Sequence, residues 1–286
     1  MSESLRLALP KGRMQDSVLS LLADAGFDMR TGSRSYRPTL TTPGYEVKIL
    51  KPHDIIEMLH VGSRDLGLAG ADWVSELNAE LVEVLDTGLD TVRLVAAAPR
   101  SLLVDGLLPD RNLVVASEYE QLSRRWLEAR GQPYTFVSSR GATEVFPPED
   151  ADLIVDNTAT GSTLAANDLV IVDEVMRSST RLYASKAAWA DPERRARIED
   201  VGTLIGAVLE ARKRVMLEVN VPRERLEDVV ALLPCMREPT VSPLHGAAGF
   251  AIKAAVPRRE LPGLIPNIKA NGGTDIVVSR LLQIVP

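Results

Sequence analysis

Short apolar runs alternate with amphipathic stretches along most of the chain, and this alternation predicts an α/β protein. Leu5–Leu9 is an apolar strand, and Met14–Ala25 follows it with apolar residues at helical spacing. Residues 112–137 read as strand, helix and strand. This order favours parallel pairing, because a crossover helix returns the chain to the same end of the sheet.

Two further apolar runs lie close together near the amino terminus. Arg34–Leu40 and Tyr45–Leu50 are separated by the turn-forming residues T-T-P-G. They predict either a hairpin or two adjacent strands.

The chain is predicted to cross twice between two lobes. Leu81–Leu85 and Val92–Ala98 read as separate strands, and 101–110 reads as a surface connection that crosses into a second lobe. Ser178–Ser185 is an extended segment that crosses back. Two α/β lobes around a hinge form a periplasmic-binding-protein-like arrangement, in which ligands lie between the lobes. The predicted division is 1–95 with 180–210 for lobe I and its linker helix, and 96–179 for lobe II.

The last part of the chain, 211–286, has the pattern of a separate domain. Its strands and helices follow the order βαββαβ, which is the ferredoxin-like arrangement. No obvious catalytic cluster lies in it, so a regulatory or assembling role is expected. The predicted elements are strand 215–221, helix 223–232, strand 239–244, strand 250–256, helix 260–271 and strand 275–278.

Composition narrows the class of protein and its location. The 286 residues are 45% hydrophobic and 25% charged, with a net charge of −6, which argues against a general nucleic-acid or anionic-membrane surface. The amino terminus lacks the apolar core of a signal peptide, and no uncharged run of membrane-spanning length occurs, so a cytoplasmic location is expected. The lone Cys235 excludes an internal disulfide, and three histidines without an H-x-x-x-H pair argue against structural zinc.

One stretch, Asp152–Leu164, has the pattern of an anion-binding turn. A short apolar run ends at Asp156, and the following residues are small and rich in hydroxyl groups, with a glycine at 161. Such a turn can hold a phosphate at the start of a helix, while Asp156 accepts hydrogen bonds from sugar hydroxyls. A ribose 5-phosphate suits this pair of features. The alternative is an ordinary strand-turn-helix with Asp156 as a cap.

Charged residues at other strand-to-helix junctions are candidates for the same site. Lys11, Arg13 and Lys51 follow strands, where ligands of open α/β sheets collect. They predict contact with phosphate groups, against the alternative of solvated charges. Asp72 and Glu144 are either substrate contacts or first-turn acids of helices.

These segments, taken in order, resemble the long form of ATP phosphoribosyltransferase. The resemblance implies condensation of ATP with phosphoribosyl pyrophosphate to N1-(5-phosphoribosyl)-ATP and pyrophosphate, with Mg²⁺, in the first step of histidine biosynthesis. It also implies histidine as a feedback inhibitor and a homo-oligomer built from dimers into hexamers. The motifs are A-L-P-K-G-R at 8–13, L-K-P-H-D-I at 50–55, D-L-G-L-A-G-A-D at 65–72, the turn at 156–164 and R-E-P-T-V-S-P-L at 237–244.

The resemblance also implies a role for each candidate residue. The turn holds the 5-phosphate and Asp156 the ribose hydroxyls, while the cations face the pyrophosphate or triphosphate. Asp72 and Glu144 orient ribose, Mg²⁺ or adenine. Asp275 departs from the usual pattern, which weakens the expectation of histidine sensitivity. The turn residues are Thr158, Ala159, Thr160, Gly161, Ser162 and Thr163, and the histidine pocket is Asn220, Met236 and Thr240.

Three other functions remain open at this point. A non-catalytic binding protein would capture an amino acid or an anion between the same lobes. A silent regulatory paralogue would keep the fold without turnover. A transferase could use the same pyrophosphate donor with another base.

Overall fold

The computed structural model describes residues 4–30 and 36–285 and divides them into two compact units. Unit 1 comprises the described residues up to Ser20 together with Phe27–Gly202. Unit 2 comprises Leu21–Gly26 and the chain from Thr203 onward. No helix in the described ranges combines the length and apolar character needed to span a membrane.

Unit 1 is built on one sheet of eight strands, most of them followed by helices. The elements up to residue 213 are β1 (Leu5–Pro10), α1 (Gln15–Asp24), β2 (Met29–Arg30), β3 (Thr39–Leu40), β4 (Tyr45–Leu50), α2 (Pro52–His60), β5 (Leu66–Gly70), α3 (Ala71–Glu76), β6 (Leu81–Pro99), β7 (Leu113–Ser117), α4 (Glu120–Ala129), β8 (Tyr134–Ser138), β9 (Leu153–Thr158), α5 (Ser162–Ala166), β10 (Leu169–Ser185), α6 (Lys186–Ala190) and α7 (Pro192–Lys213). Helix α1 continues into unit 2 from Leu21 and helix α7 from Thr203. The strand order is β4-β1-β5-β10-β6-β9-β7-β8.

Lobe I contains β4, β1 and β5, which are parallel to one another. Helix α2 packs closely against β5 because residue 67 is a glycine. A Cβ there would lie 2.8 Å from Ile55 Cγ2. Ile55, Ile56 and Leu59 are buried on the inner face of α2. The carboxyl ends of β4, β1 and β5 therefore lie together at one edge of lobe I.

Lobe II contains β9, β7 and β8, again in parallel. The prediction of parallel pairing across 112–137 is confirmed. Tyr119, Trp126 and Leu127 cover the sheet from α4 and the turn before it. The prediction of two α/β lobes is also confirmed.

The crossing between the lobes differs from the prediction. β6 is one strand of 19 residues and β10 one of 17, and they pair antiparallel along both lobes. Arg93 already pairs with Thr158 in lobe II, so the chain crosses before residue 95, and 101–110 is a connection within lobe II. Polar residues at the crossing interrupt the apolar pattern, but hydrogen bonds such as Thr87 Oγ1 to Thr180 O at 2.6 Å keep the strands paired.

Of the two arrangements predicted for the segments before residue 50, the hairpin is not formed, but the segments lie side by side where the Ile49 N–H donates to Tyr36 O at 2.9 Å. β3 pairs antiparallel with β2, whereas β4 pairs in parallel with β1. The apolar residues of β4 are recruited into the main sheet, where Val47 and Ile49 are buried. Arg34 and Ser35, at the start of the predicted segment, lie outside the described residues.

Unit 2 carries a ferredoxin-like domain, and that prediction is confirmed. Its elements are β11 (Arg214–Val221), α8 (Leu226–Val230), β12 (Thr240–Pro243), β13 (Phe250–Pro257), α9 (Leu261–Ala270) and β14 (Thr274–Arg280). All pairs are antiparallel in the order β12-β13-β11-β14. Leu217, Val219 and Ile252 lie at the centre of a core covered by α8 and α9.

Candidate functional site

A cavity of about 880 Å³ lies between the two lobes of unit 1. Both lobes contribute carboxyl ends of strands and the turns that follow them, because the parallel strands of lobe II run opposite to those of lobe I and the two sets of carboxyl ends point toward each other. The lining includes the predicted residues Lys11, Arg13, Lys51 and Asp72. A space of this size is in the range of small-molecule and nucleotide sites.

The three predicted cations enter this cavity from lobe I. Lys11 follows β1, and its ammonium group lies 5.4 Å from the centre of the Tyr36 ring. Arg13 comes two residues later, after Gly12, whose φ of +83° turns the chain. Lys51 precedes α2 in extended conformation and leaves Pro52 to begin the helix. Arg13 and Lys51 are exposed, so their charged ends can reach an anion in the cleft.

The turn after β9 forms a second cavity of about 360 Å³. Gly161 adopts a φ of +82°, and its N–H donates to Thr158 Oγ1 at 2.8 Å. The Thr160 and Ser162 hydroxyls lie 2.9 Å apart at the start of α5. The cavity thus presents hydroxyls and the N–H groups of a helix start. Its lining is Arg13, Glu144, Asp156, Asn157, Thr158, Ala159, Thr160, Ser162, Thr163 and Leu164.

Arg13 and Asn157 line both cavities. Arg13 belongs to lobe I, whereas Asn157 lies near the end of β9 in lobe II. The small cavity and the large one are therefore neighbouring parts of one cleft. A ligand with a phosphate in the small cavity can extend into the large one beside the lobe I cations.

Asp156 is a weaker acid than an ordinary aspartate carboxyl group. Burial raises the pKa of Asp156 to about 6, and the negative charges of Glu144 and Glu118 add to the effect. A hydrogen bond from the Asn157 N–H and the charge of Arg13 oppose it. The group is accordingly a strong hydrogen-bond acceptor near neutral pH and a neutral acid at mildly acidic pH.

Asp72 is a buried member of a hydrogen-bond network. Its Oδ1 accepts from the Ser178 hydroxyl at 2.6 Å and its Oδ2 from the Tyr119 hydroxyl at 2.7 Å. Asn157 Nδ2 in turn donates to the Tyr119 oxygen at 3.0 Å. Desolvation and the neighbouring Asp72 charge raise the pKa of Tyr119, so this phenol stays protonated and donates. Both oxygens of Asp72 are engaged in this network, and Asp72 also lines the large cavity.

Sequence reasoning missed several residues that line the cavity. Tyr119 and Glu118 follow β7, and Trp73 follows Asp72 in α3. The position of Tyr119 after a strand carried the same signal as Lys11 and Arg13. The rings of Trp73 and Tyr119 also pack together, with centroids 4.8 Å apart and an interplanar angle of 31°. The cleft therefore has an aromatic wall as well as polar ends.

One group in the described ranges brings together three side chains with metal-ligand atoms. The ligand atoms of His53, Asp54 and Glu57 lie within 4.8 Å of one another on α2. An imidazole is a poor ligand for Mg²⁺, which prefers oxygen and keeps several waters. The carboxylates of Glu144 and Asp156 beside the anion turn suit Mg²⁺ better.

In unit 2, a cavity of about 520 Å³ is lined by Met236 and Thr240. Asn220, the third residue of the predicted histidine pocket, does not line it. Residue 220 lies on β11, and its Nδ2 donates to Asp275 Oδ2 at 3.1 Å. Asp275 therefore already accepts a hydrogen bond from the Asn220 side-chain amide, which the predicted pocket would use.

The fold and the site define a class of protein: a two-lobed α/β protein with a hydroxyl-rich turn and several cations lining one cleft, followed by a ferredoxin-like domain. Residues 51–206 match the family described as ATP phosphoribosyltransferase, and residues 211–283 match the family described as HisG, C-terminal domain. The chain belongs to the ATP phosphoribosyltransferase family, and its C-terminal domain assigns it to the long form.

Relatives and a solved structure agree with this assignment. The ATP phosphoribosyltransferase of Pelotomaculum thermopropionicum is 35% identical over 287 residues, covering 99% of each chain. That of Desulforudis audaxviator is 37% identical over 287 residues with the same coverage. The ATP phosphoribosyl transferase (HisG:HisZ) complex from Thermotoga maritima superposes with a TM-score of 0.62 at 25% identity, covering 71% of this chain and 98% of that chain.

The raised pKa of Asp156 predicts a pH-dependent gain in stability for Asp156→Asn. In the unfolded chain the carboxyl ionises near its ordinary value of 3.8, so the folded state binds more protons between that value and about pH 6. The contribution of Asp156 to the free energy of unfolding of the wild-type protein therefore falls as the pH rises through this window. We expect Asp156→Asn to be more stable than wild type by ~1–3 kcal/mol above pH 6 and equal to it below pH ~4, as measured by urea unfolding across pH.

Asp152→Asn provides a control of opposite sign. The Arg111 side chain lowers the pKa of Asp152, so this carboxylate stabilises the fold when it is ionised. Its replacement should destabilise the protein at neutral pH, with the difference shrinking in acid. A gain for Asp156→Asn that does not change with pH would refute the assignment.

Proposed function

We propose that the chain transfers the 5-phosphoribosyl group of phosphoribosyl pyrophosphate to N1 of ATP, the first step of histidine biosynthesis. The observation that carries this proposal is the continuity of the two cavities through Arg13 and Asn157. The small cavity suits the 5-phosphate, and the large one has room for the pyrophosphate and the purine nucleotide. Lobe I cations then face the leaving group.

The donor is held by the turn and its neighbours. The hydroxyls and N–H groups between Thr158 and Thr163 bind the 5-phosphate at the start of α5. Asp156, ionised above pH ~6, accepts hydrogen bonds from the ribose hydroxyls. The 5-phosphate and the sugar are thereby fixed before the acceptor arrives, and alignment of two substrates supplies roughly 7–11 kcal/mol of barrier reduction.

In the reaction, the lone pair on adenine N1 forms a bond to C1′ of the ribose, and the bond between C1′ and the pyrophosphate oxygen breaks. The bonding electrons leave with pyrophosphate. N1 carries no proton, so the attack requires no general base beforehand. Lys11, Arg13 and Lys51 stabilise the charge on the departing oxygens, and the loss of one such contact should cost about 3–4 kcal/mol by analogy with an oxyanion donor.

Mg²⁺ is the proposed metal, because both substrates carry vicinal phosphates that bind it. It would neutralise phosphate charge in the complex. Glu144 lines the small cavity beside the anion turn and would offer an oxygen ligand there. Asp72 and the aromatic pair Trp73 and Tyr119 would orient ribose or adenine in the large cavity.

Histidine is the proposed effector, and unit 2 is its proposed site. The cavity beside Met236 and Thr240 is large enough for an amino acid. Asn220 belongs to the same sheet but is bound to Asp275. We propose that histidine must displace this hydrogen bond and therefore binds weakly.

We also propose a cytoplasmic homo-oligomer built from dimers into hexamers, as the family resemblance implies. The net charge of −6 keeps the chain away from general anionic surfaces. The molar mass from light scattering gives the assembly state.

Turnover is the direct test. We expect the protein mixed with ATP, phosphoribosyl pyrophosphate and Mg²⁺ to give the ultraviolet absorbance of the product and to release pyrophosphate, with no product when Mg²⁺ is chelated. GTP and the pyrimidine nucleotides should give none. Binding of one ligand without pyrophosphate release would favour a binding protein, and turnover with another base would favour a different transferase.

Gly161→Val tests the anion turn. A β-branched residue is strained at a φ of +82° and displaces the N–H that Thr158 holds, so kcat/KM for phosphoribosyl pyrophosphate should fall by at least tenfold. Gly131→Val is the matched control, since Gly131 has a φ of +65°, open space within 4 Å of the position that a Cβ would take, and no place in either cavity. Equal losses in both variants would refute a specific role for the turn.

Calorimetric titration with histidine tests the effector proposal. We expect weak heat with the wild type at millimolar histidine, and tighter binding for Asp275→Ala, because that change releases the Asn220 amide. Thr240→Val should remove binding in both backgrounds. Activity indifferent to histidine together with no heat in any variant would refute the proposal.

A further inference from the structure

Helix α3 of lobe I completes the start of helix α4 in lobe II. The first N–H groups of a helix have no partner within the helix, and α4 has no side-chain cap of its own at Tyr119. Glu76, the last residue of α3, supplies the acceptors instead. Its Oε1 accepts from the Gln121 N–H and its Oε2 from the Leu122 N–H, both at 2.9 Å.

The environment of Glu76 makes this contact costly to lose. Only 6% of the residue is exposed, and both carboxylate oxygens are used by N–H groups of the opposite lobe. The negative charge also lies against the positive end of the α4 dipole. A change in the lobe angle would separate the carboxylate from these donors. The contact can therefore form in only one arrangement of the lobes.

Neighbouring residues of α3 bind lobe II at the same place. Asp72 accepts from the Tyr119 hydroxyl at 2.7 Å, and Arg125 Nη2 donates to Ser75 O at 2.6 Å. Trp73 packs against the apolar cores of both lobes. Together with Glu76, these contacts of α3 tie the lobes to each other.

The strands that cross between the lobes do not by themselves fix this angle. The β6–β10 register shifts between Ser178 and Thr180 and again between Thr180 and Arg181. Irregular pairing of this kind lets a strand pair bend. Helix α3 is itself attached to β10, where Asp72 accepts from the Ser178 hydroxyl. The contact of Glu76 with α4 adds a further attachment between the lobes that does not depend on the register of β6 and β10.

We propose that Glu76 is a positioning residue that locks the two lobes in their closed arrangement before substrate binds. The anion turn of lobe II and the cations of lobe I then face each other in the free protein. The effect on catalysis rests on the proposed function, because it assumes that phosphoribosyl pyrophosphate bridges the lobes. Without this contact, only a fraction of the protein molecules has the lobes in the arrangement that binds substrate. The apparent affinity for phosphoribosyl pyrophosphate is then reduced in proportion to that fraction.

The test measures the lobe-to-lobe distance without substrate. Nitroxide labels are placed at Ser20→Cys in lobe I and Glu149→Cys in lobe II, two exposed positions, after Cys235→Ser removes the native thiol. We expect one narrow distance distribution in the locked protein that phosphoribosyl pyrophosphate does not change. Glu76→Ala should broaden it, and the ligand should narrow it again.

Kinetics provide a second readout. Glu76→Ala should raise KM for phosphoribosyl pyrophosphate about tenfold or more while kcat changes less than about threefold, because the lost competence is restored in the bound state. Glu76→Gln keeps one acceptor oxygen and should lie between. Glu120→Gln, which removes a first-turn acid of the same helix that pairs locally with Arg124, should leave distance and kinetics unchanged.

Two results would overturn the lock. One is a broad wild-type distribution that narrows on ligand binding, and the other is a Glu76→Ala distribution as narrow as that of the wild type. Circular dichroism shows whether Glu76→Ala is folded. If it is not, the distance distributions of the wild-type protein and of Glu76→Gln decide whether the lobes are locked. The label distance is measured without turnover, so its result is independent of the proposed function. An active enzyme can show that the lobes are not locked, and an inactive protein can show that they are.

Discussion

The antiparallel pairing of β6 and β10 is the interaction on which the rest of unit 1 depends. These two strands are shared by both lobes, and every other strand of the eight-stranded sheet is attached to them directly or through a neighbour. Where they cross, the side chains are polar rather than apolar, and Asp90 accepts from the hydroxyls of Ser17 and Thr180 at 2.7 Å each. Hydrogen bonds to a charged group are stronger than neutral ones. The bond from Thr180 joins β10 to β6, and the bond from Ser17 attaches α1 to the same place. The cleft forms because the sheet continues while its cover of helices is interrupted.

That interruption explains why the site combines residues from distant parts of the chain. Arg13 and Asp156 are brought together because β1 and β9 both end at the cleft, although they lie in different lobes. Each lobe lines the cleft with different groups: lobe II presents hydroxyls and a helix start, and lobe I presents Lys11, Arg13 and Lys51. An enzyme that joins two substrates gains from such a division, because each substrate can be aligned by its own lobe and the reaction occurs where they meet.

Sequence alone located the parts that depend on local pattern. The strand ending near Asp156, the glycine at 161 and the βαββαβ order after residue 213 all follow from short-range periodicity and turn chemistry. It did not locate the crossing, because the stretch 86–90 looks like a loop until the pairing of Asp86 with Arg181 and of Leu89 with Thr180 on β10 is known. Nor did it reveal the hydrogen bonds of Asp72 and Glu76. The partners of Asp72 are 47 and 106 residues away in the sequence, and those of Glu76 are 45 and 46 residues away. Long-range hydrogen bonds leave no periodic trace in a single sequence.

The charge balance at the anion turn follows from the same division between lobes. Asp156, Glu144 and Glu118 would together repel a phosphate, and burial already disfavours the ionised form of Asp156. The hydrogen bond from the Asn157 N–H and the charge of Arg13 oppose this effect, and Arg13 comes from the opposite lobe. In the proposed function, the carboxylates around the bound phosphate are therefore opposed by Arg13 only while lobe I is in place, since lobe II does not contain this cation. On that proposal, lobe arrangement and anion affinity are coupled through charge as well as through shape, and a rigid contact between the lobes bears directly on binding strength.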